Sequence, residues 1–174
     1  ALNLALSLFN IRNKEVIVPS LTFVSTINAI KFNHGIPVFI DIDPKTGCLD
    51  TEKIEKLISK KTKAILPVHF GGIPCNLKKI TEICKSYKLY LIEDAAHAAG
   101  SSFKKKKIGS HGDSVCFSFH PVKNLAMPTG GLISLNNSDY KKSRKILESR
   151  RWCGITDRKN ISYDVKELAD NYRS

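Results

Sequence analysis

TKAILPVHFGGIPCNLKKITEICKSYKLYLIED, from Thr62 to Asp94, holds an apolar run, a helical pattern and a second apolar run that ends in acid. TKAILPVHF and KLYLIED are continuous apolar stretches of strand length, the pattern of strands covered on both faces. Between them NLKKITEICKSY puts Leu77, Ile80, Ile83 and Cys84 on one helical face, behind Asn76, a residue suited to capping. Two strands joined by such a helix form a parallel crossover unit. The same rhythm extends in both directions. ALNLAL reads as helix, EVIVP as strand, FVSTINAIKFNHG as a helix from Phe23 closing at Gly35, PVFIDID as strand, and DTEKIEKLISKK as a helix capped by Asp50. Beyond Ala95, AAHAAGSSFKKKKIGSHGD reads as a loop with a hairpin tipped by Lys104 to Lys107. The strands SVCFSF and GGLISL and the helix SDYKKSRKILESRRW follow. The pattern predicts one α/β domain over residues 1–174, a mostly parallel sheet flanked by helices on both faces.

Composition agrees with a globular chain: 174 residues, 42% hydrophobic and 25% charged. No apolar run approaches the length of a membrane span, and the start has no charged leader region. The net charge of +12 comes from scattered lysine groups, KKTK, NLKK, FKKKK and DYKK, which read as solvated faces and turns. Basic residues interleaved with aromatics are lacking, which argues against a nucleic-acid partner. Five cysteines, Cys48, Cys75, Cys84, Cys116 and Cys153, show no metal-ligand spacing and fit reduced thiols in the cytoplasm. The opening helix has no capping residue before it, and DVKELADNYRS stops without a closing Gly or Pro. The chain is therefore expected to be truncated at both ends.

In open parallel sheets, ligands gather beyond the carboxyl ends of the strands. Three residues stand out there: Asp94 after KLYLIE, Ser118 within SVCFSF, and Lys123 in FSFHPVKNLAMPTGG. An acid, a hydroxyl and an amine at one sheet edge suit a pyridoxal phosphate site, which needs a partner for its ring nitrogen, a phosphate anchor and an amine for its aldehyde. Lys123, alone, reads first as a solvated loop lysine; its apolar neighbours Phe117, Phe119, Pro121, Val122, Leu125 and Met127, with Gly130 and Gly131 allowing close backbone approach, move the reading towards a cofactor amine. Asp94 reads either as the ring-nitrogen partner or as a helix cap before Ala95. His97 would lie over the ring or bond its 3-oxygen, or be a satisfied loop histidine. Phe23 would stack on the opposite ring face, or belong to the core. Ser118 would bond phosphate, or bond backbone.

EDAAHAAG, followed by GDSVCFSFHPVKN and TGG, resembles the DegT/DnrJ/StrS family of pyridoxal-phosphate sugar aminotransferases. ALNLAL, VPSLTFVSTINAI, PVFIDIDPKTGCLD, ILPVHFGG, KLYLIEDAAHA and the closing NYRS extend the resemblance nearly end to end. It implies the large cofactor domain of the aspartate-aminotransferase fold (fold type I), with Lys123 as the Schiff-base lysine and Asp94 as partner of the ring nitrogen. Ser118 is implied as a phosphate ligand, His97 and Phe23 as flanking the ring, and Arg173 as approaching a neighbouring subunit's site. The family's Gly-Thr phosphate turn would precede ALNLAL and its small domain would follow NYR, so these residues alone are expected to be inactive. One departure is NLAMPTGG, where family members commonly carry Gly-Glu-Gly-Gly or similar after the lysine. The implied activity is transfer of an amino group from glutamate or glutamine to a keto group of a nucleotide-linked sugar. It would serve surface polysaccharide, lipopolysaccharide or secondary-metabolite synthesis, in a cytoplasmic homodimer. The alternatives are the sugar dehydratase branch, in which histidine replaces the lysine, and a non-catalytic relative with a binding or regulatory role.

Overall fold

In strand β1 (Glu15–Pro19), Val16, Ile17 and Val18 are all fully buried, and successive side chains enter different cores. Side chains alternate across a strand, so burial of consecutive residues requires cover on both faces of the sheet. Residues 1–152, 154 and 155 are described by the computed structural model. Cys153, the runs DVKELAD and NYRS, and Arg173 lie outside the described residues.

The elements run α1 (Leu2–Leu6), β1, α2 (Val24–Phe32), β2 (Ile36–Ile40), α3 (Ile54–Leu57) and β3 (Thr62–Ile65), then a single 3-10 turn (Phe70–Gly72), α4 (Leu77–Tyr87) and β4 (Tyr90–Asp94). The short strands β5 (Ser102–Phe103) and β6 (Lys106–Lys107), then β7 (Ser114–Ser118), β8 (Gly131–Leu135) and α5 (Tyr140–Arg151) follow. The main sheet has the order β2-β1-β3-β4-β7-β8. Its pairs are parallel from β2 to β7, and β8 lies antiparallel to β7.

Helices α1 and α2 cover one face: Leu6, Ala29 and Ile30 pack with Val16, Val18, Ala64, Leu66 and Ile92. Helix α4 covers the other, where Leu77, Ile80, Ile83 and Cys84 join Ile17, Ile65, Leu91 and Val115. Each aliphatic side chain so buried is worth about 1.5–3 kcal/mol. Asn76 caps α4 as expected, its Oδ1 accepting the Lys79 N–H at 3.3 Å. The α/β architecture with a mostly parallel, doubly covered sheet is thus present.

The helix expected over DTEKIEKLISKK shrinks to the four residues of α3. Local side chains compete with it. Asp50 Oδ1 accepts the Glu52 N–H at 3.0 Å in a turn, and Thr62 Oγ1 accepts the Ser59 N–H at 2.9 Å, holding the far end in extended backbone. The lysine hairpin forms, with β5 antiparallel to β6 and Lys104 and Lys105 at its tip in left-handed backbone. The chain divides into two compact units, Ala1–Ser138 and Asp139–Ser174. The described part of the second holds α5, where Arg144 Nε donates to Glu148 Oε1 at 2.8 Å. Among the described residues no helix is long and apolar enough to cross a membrane.

Candidate active site

Because β1, β3, β4 and β7 are parallel, their carboxyl ends share one edge of the sheet. Asp94 is the last residue of β4 and is only 4% exposed. Its Oδ2 accepts the Thr26 hydroxyl at 2.8 Å, and its Oδ1 accepts the Ala96 N–H at 3.1 Å. Thr26 is fully buried in the first turn of α2 and itself accepts the Thr22 hydroxyl at 2.9 Å. The helix that follows β1 therefore holds the acid that ends β4.

The tight turn after Asp94 is closed by Ala98 N–H donating to Ala95 O at 2.9 Å, and by Ala95 N–H donating to Cys116 O at 2.8 Å. It presents His97, whose Nε2 lies 3.0 Å from Lys123 Nζ. On its other side His97 Nδ1 accepts the Gly71 N–H at 3.3 Å, and its ring meets Phe70 edge-on with centroids 6.0 Å apart. Lys123 sits in the connection from β7 to β8. That connection is pinned by Phe119 N–H to Gly130 O at 3.0 Å, Met127 N–H to Phe119 O at 2.9 Å, and Asn124 Nδ2 to Ala99 O at 2.8 Å. The last bond ties the lysine loop to the histidine turn.

Asp94, His97 and Lys123 are thus brought together around one turn. Ser118 and Phe23 lie at the same edge without a hydrogen bond or ring contact to those three. Ser118 ends β7 opposite Gly131, and its Oγ accepts the His120 N–H at 3.3 Å, which leaves the hydroxyl proton free for a ligand. Phe23 precedes the first turn of α2 and is 70% exposed, so it is not a core residue. The apolar neighbours of Lys123 do not enclose it, since Val122, Leu125 and Met127 are all exposed.

Several residues at this edge escaped the reading of the sequence. Thr26 is one. Another is a fully buried pair: His69 Nε2 lies 2.7 Å from Glu93 Oε2, His69 Nδ1 accepts the Cys75 N–H at 3.1 Å, and the Gly112 N–H donates to Glu93 Oε1. Glu93 and Asp94 are adjacent on β4, so strand alternation sends their carboxylates to opposite faces, one into the network and one into the site. Two acids in succession at a strand end, EDAAH, were the available signal. Beside Asp94's strand, burial pushes the Cys116 thiol up to about 12, and the Asp94 carboxylate adds to the effect.

A carboxylate held by two donors, an amine, a hydroxyl with a free proton and an open aromatic face match a ring nitrogen, an aldehyde, a phosphate and a ring face. The side chains present therefore fit pyridoxal phosphate.

Comparison with known proteins agrees. The profile of the DegT/DnrJ/EryC1/StrS aminotransferase family matches residues 1–173. An uncharacterized protein of Methanocaldococcus jannaschii, MJ1066, is 45% identical over 84% of this chain and 38% of its own length. GDP-perosamine synthase of Caulobacter vibrioides is 41% identical over 86% of this chain and 41% of its own. The sugar aminotransferase Spr1654 of Streptococcus pneumoniae, solved in PLP and PMP forms, superposes on this chain with a TM-score of 0.79 at 30% identity. The superposition of the PLP form covers 86% of this chain and 43% of that one. The chain spans about two fifths of the length of these curated relatives. It belongs to the DegT/DnrJ/EryC1/StrS aminotransferase family.

Proposed function

We propose that this chain is the cofactor-binding part of an enzyme that transfers an amino group from glutamate or glutamine to a keto group of a nucleotide-linked sugar. The cofactor of the family is pyridoxal phosphate. When bound, it supplies an aldehyde that carries amino groups and a ring that accepts electrons from the adjoining carbon. Lys123 would hold it through Nζ, and the same amine would serve as general base and then general acid, taking up and returning a proton at Nζ. Asp94 would hold the ring nitrogen protonated. Ser118 would bond the phosphate, and His97 and Phe23 would flank the ring. The reading includes a cytoplasmic homodimer serving synthesis of surface polysaccharide, lipopolysaccharide or secondary metabolites. The name of the Caulobacter relative, GDP-perosamine synthase, supports a nucleotide-linked sugar as substrate.

The observation that carries this reading is the convergence of the Lys123 amine and the Asp94 carboxylate on the turn that bears His97. Lys123 disfavours the dehydratase branch. Borohydride reduction of the purified protein with pyridoxal phosphate, followed by peptide mapping, should place a pyridoxyl group on Lys123 and none elsewhere in Lys123→Ala. In the full-length protein, turnover of keto-sugar nucleotides with glutamate or glutamine should fall by about a hundred- to ten-thousand-fold in the same variant. Absence of label in the wild-type protein would favour a non-catalytic binding role.

A further inference from the structure

His97 has a partner on each ring nitrogen, and the two partners differ in kind. At Nδ1 stands the Gly71 N–H, 3.3 Å away, a group that only donates. At Nε2 stands Lys123 Nζ, 3.0 Å away, a group that donates when protonated and accepts through its lone pair when neutral. A neutral imidazole carries one proton, and its position follows from the hydrogen bond the other nitrogen makes. Since Nδ1 receives the Gly71 N–H, the proton belongs on Nε2. The opposite assignment, with Nζ donating to Nε2, puts the proton on Nδ1 and sets it against the Gly71 N–H.

We infer that the Gly71 backbone amide fixes His97 as the Nε2–H tautomer, so that His97 enters the site as a hydrogen-bond donor directed at the position of Lys123 Nζ. Gly71 is thereby a positioning residue acting through His97. Its amide is aimed by the backbone of the 70–72 turn and by the hydrogen bonds around it. Gly71 adopts φ 59° and ψ 15°, a left-handed conformation that glycine takes without steric cost. His69, immediately before the turn, is held by Glu93 and the Cys75 N–H, and Ser101 Oγ donates to Gly72 O at 2.8 Å, tying the turn to the segment after His97. Gly72 packs so closely against this segment that a Cβ there would stand 2.9 Å from His97 O.

This assignment sets what His97 offers at the position of Lys123 Nζ. His97 presents its Nε2–H to any acceptor that stands there.

The test reads the tautomer directly, without cofactor or turnover, so that its failure is distinct from failure of the transfer activity. The protein is labelled with 15N-histidine and its ring nitrogens are correlated with ring protons about two pH units above the roughly 6.5 of free imidazole. The His97 signals are picked out from the five histidines by their loss in His97→Gln. The pattern of a proton resident on Nε2 is expected in the wild type. It is expected unchanged in Lys123→Ala, because the amide that sets it is untouched. A proton resident on Nδ1, or averaging between the two nitrogens, in the wild-type protein overturns the inference. A change to either in Lys123→Ala overturns it too, by showing that the lysine sets the tautomer.

Discussion

Thr26 does for Asp94 what no other side chain at the site does: it supplies a buried hydroxyl to the oxygen that the local turn leaves open. Thr26→Val keeps the shape and removes the donor, leaving Oδ2 of a 4% exposed carboxylate short of a partner. Loss of about 1–3 kcal/mol is expected, read as a lower urea midpoint at unchanged slope. A stability within experimental error of the wild type would show that water replaces the hydroxyl. The meeting of Asp94, His97 and Lys123 at one edge was legible because each stands at or just past the end of an apolar strand. Thr26 was not, since a threonine near the start of a helix reads as ordinary helix surface. Only the packing of α2 over β4 turns its hydroxyl inward. The role of the apolar residues near Lys123 was misread for a related reason. Composition places Val122, Leu125 and Met127 near the amine but cannot tell a wall from a rim.

Among the elements, the parallel unit β3–α4–β4 was readable because each of its signals agrees: an apolar run, a capping asparagine, a helical stripe, a second run. Helix α3 was over-extended, as its apolar periodicity continues through residues whose hydroxyls and carboxylates form turns instead. The antiparallel direction of β8 was invisible, because GGLISL would look the same in either orientation. The loop that precedes β7 carries its own constraint at Gly112. A Cβ built there meets Leu91 O at 2.7 Å and the Glu93 carboxylate equally closely, and a backbone carbonyl within β4 cannot move aside. Gly112→Ala should therefore cost about 1–3 kcal/mol in urea denaturation. Gly71→Ala, which meets nothing within 4 Å, should cost only the backbone strain of its φ of 59°, about 1–2 kcal/mol. If Gly112→Ala proves neutral, the packing of Glu93 beneath the sheet edge is looser than described.

For the molecule as a whole, the cysteines set a limit on stability at high pH. Burial pushes the thiols of Cys84 and Cys116 from 9.0 up to about 12. The folded protein then keeps two protons that the unfolded chain releases above about pH 9, so their contribution is complete below that pH and declines as pH rises towards 12. The decline is at most about 1.4 kcal/mol per pH unit for each thiol. Urea titrations across this range should show a shallower fall for the double variant Cys84→Ala, Cys116→Ala than for the wild type, and equal slopes would refute the buried-thiol account. The excess of lysine, by contrast, was legible as surface from the start and leaves no mark on the core. The hydrogen bonds between Ser101 and Gly72, Asn124 and Ala99, and His69 and Glu93 are all made in the free chain. A small molecule arriving at this rim meets a frame already braced between neighbouring strands, so little of its affinity is lost to freezing backbone motion, and the entropy of association is chiefly its own.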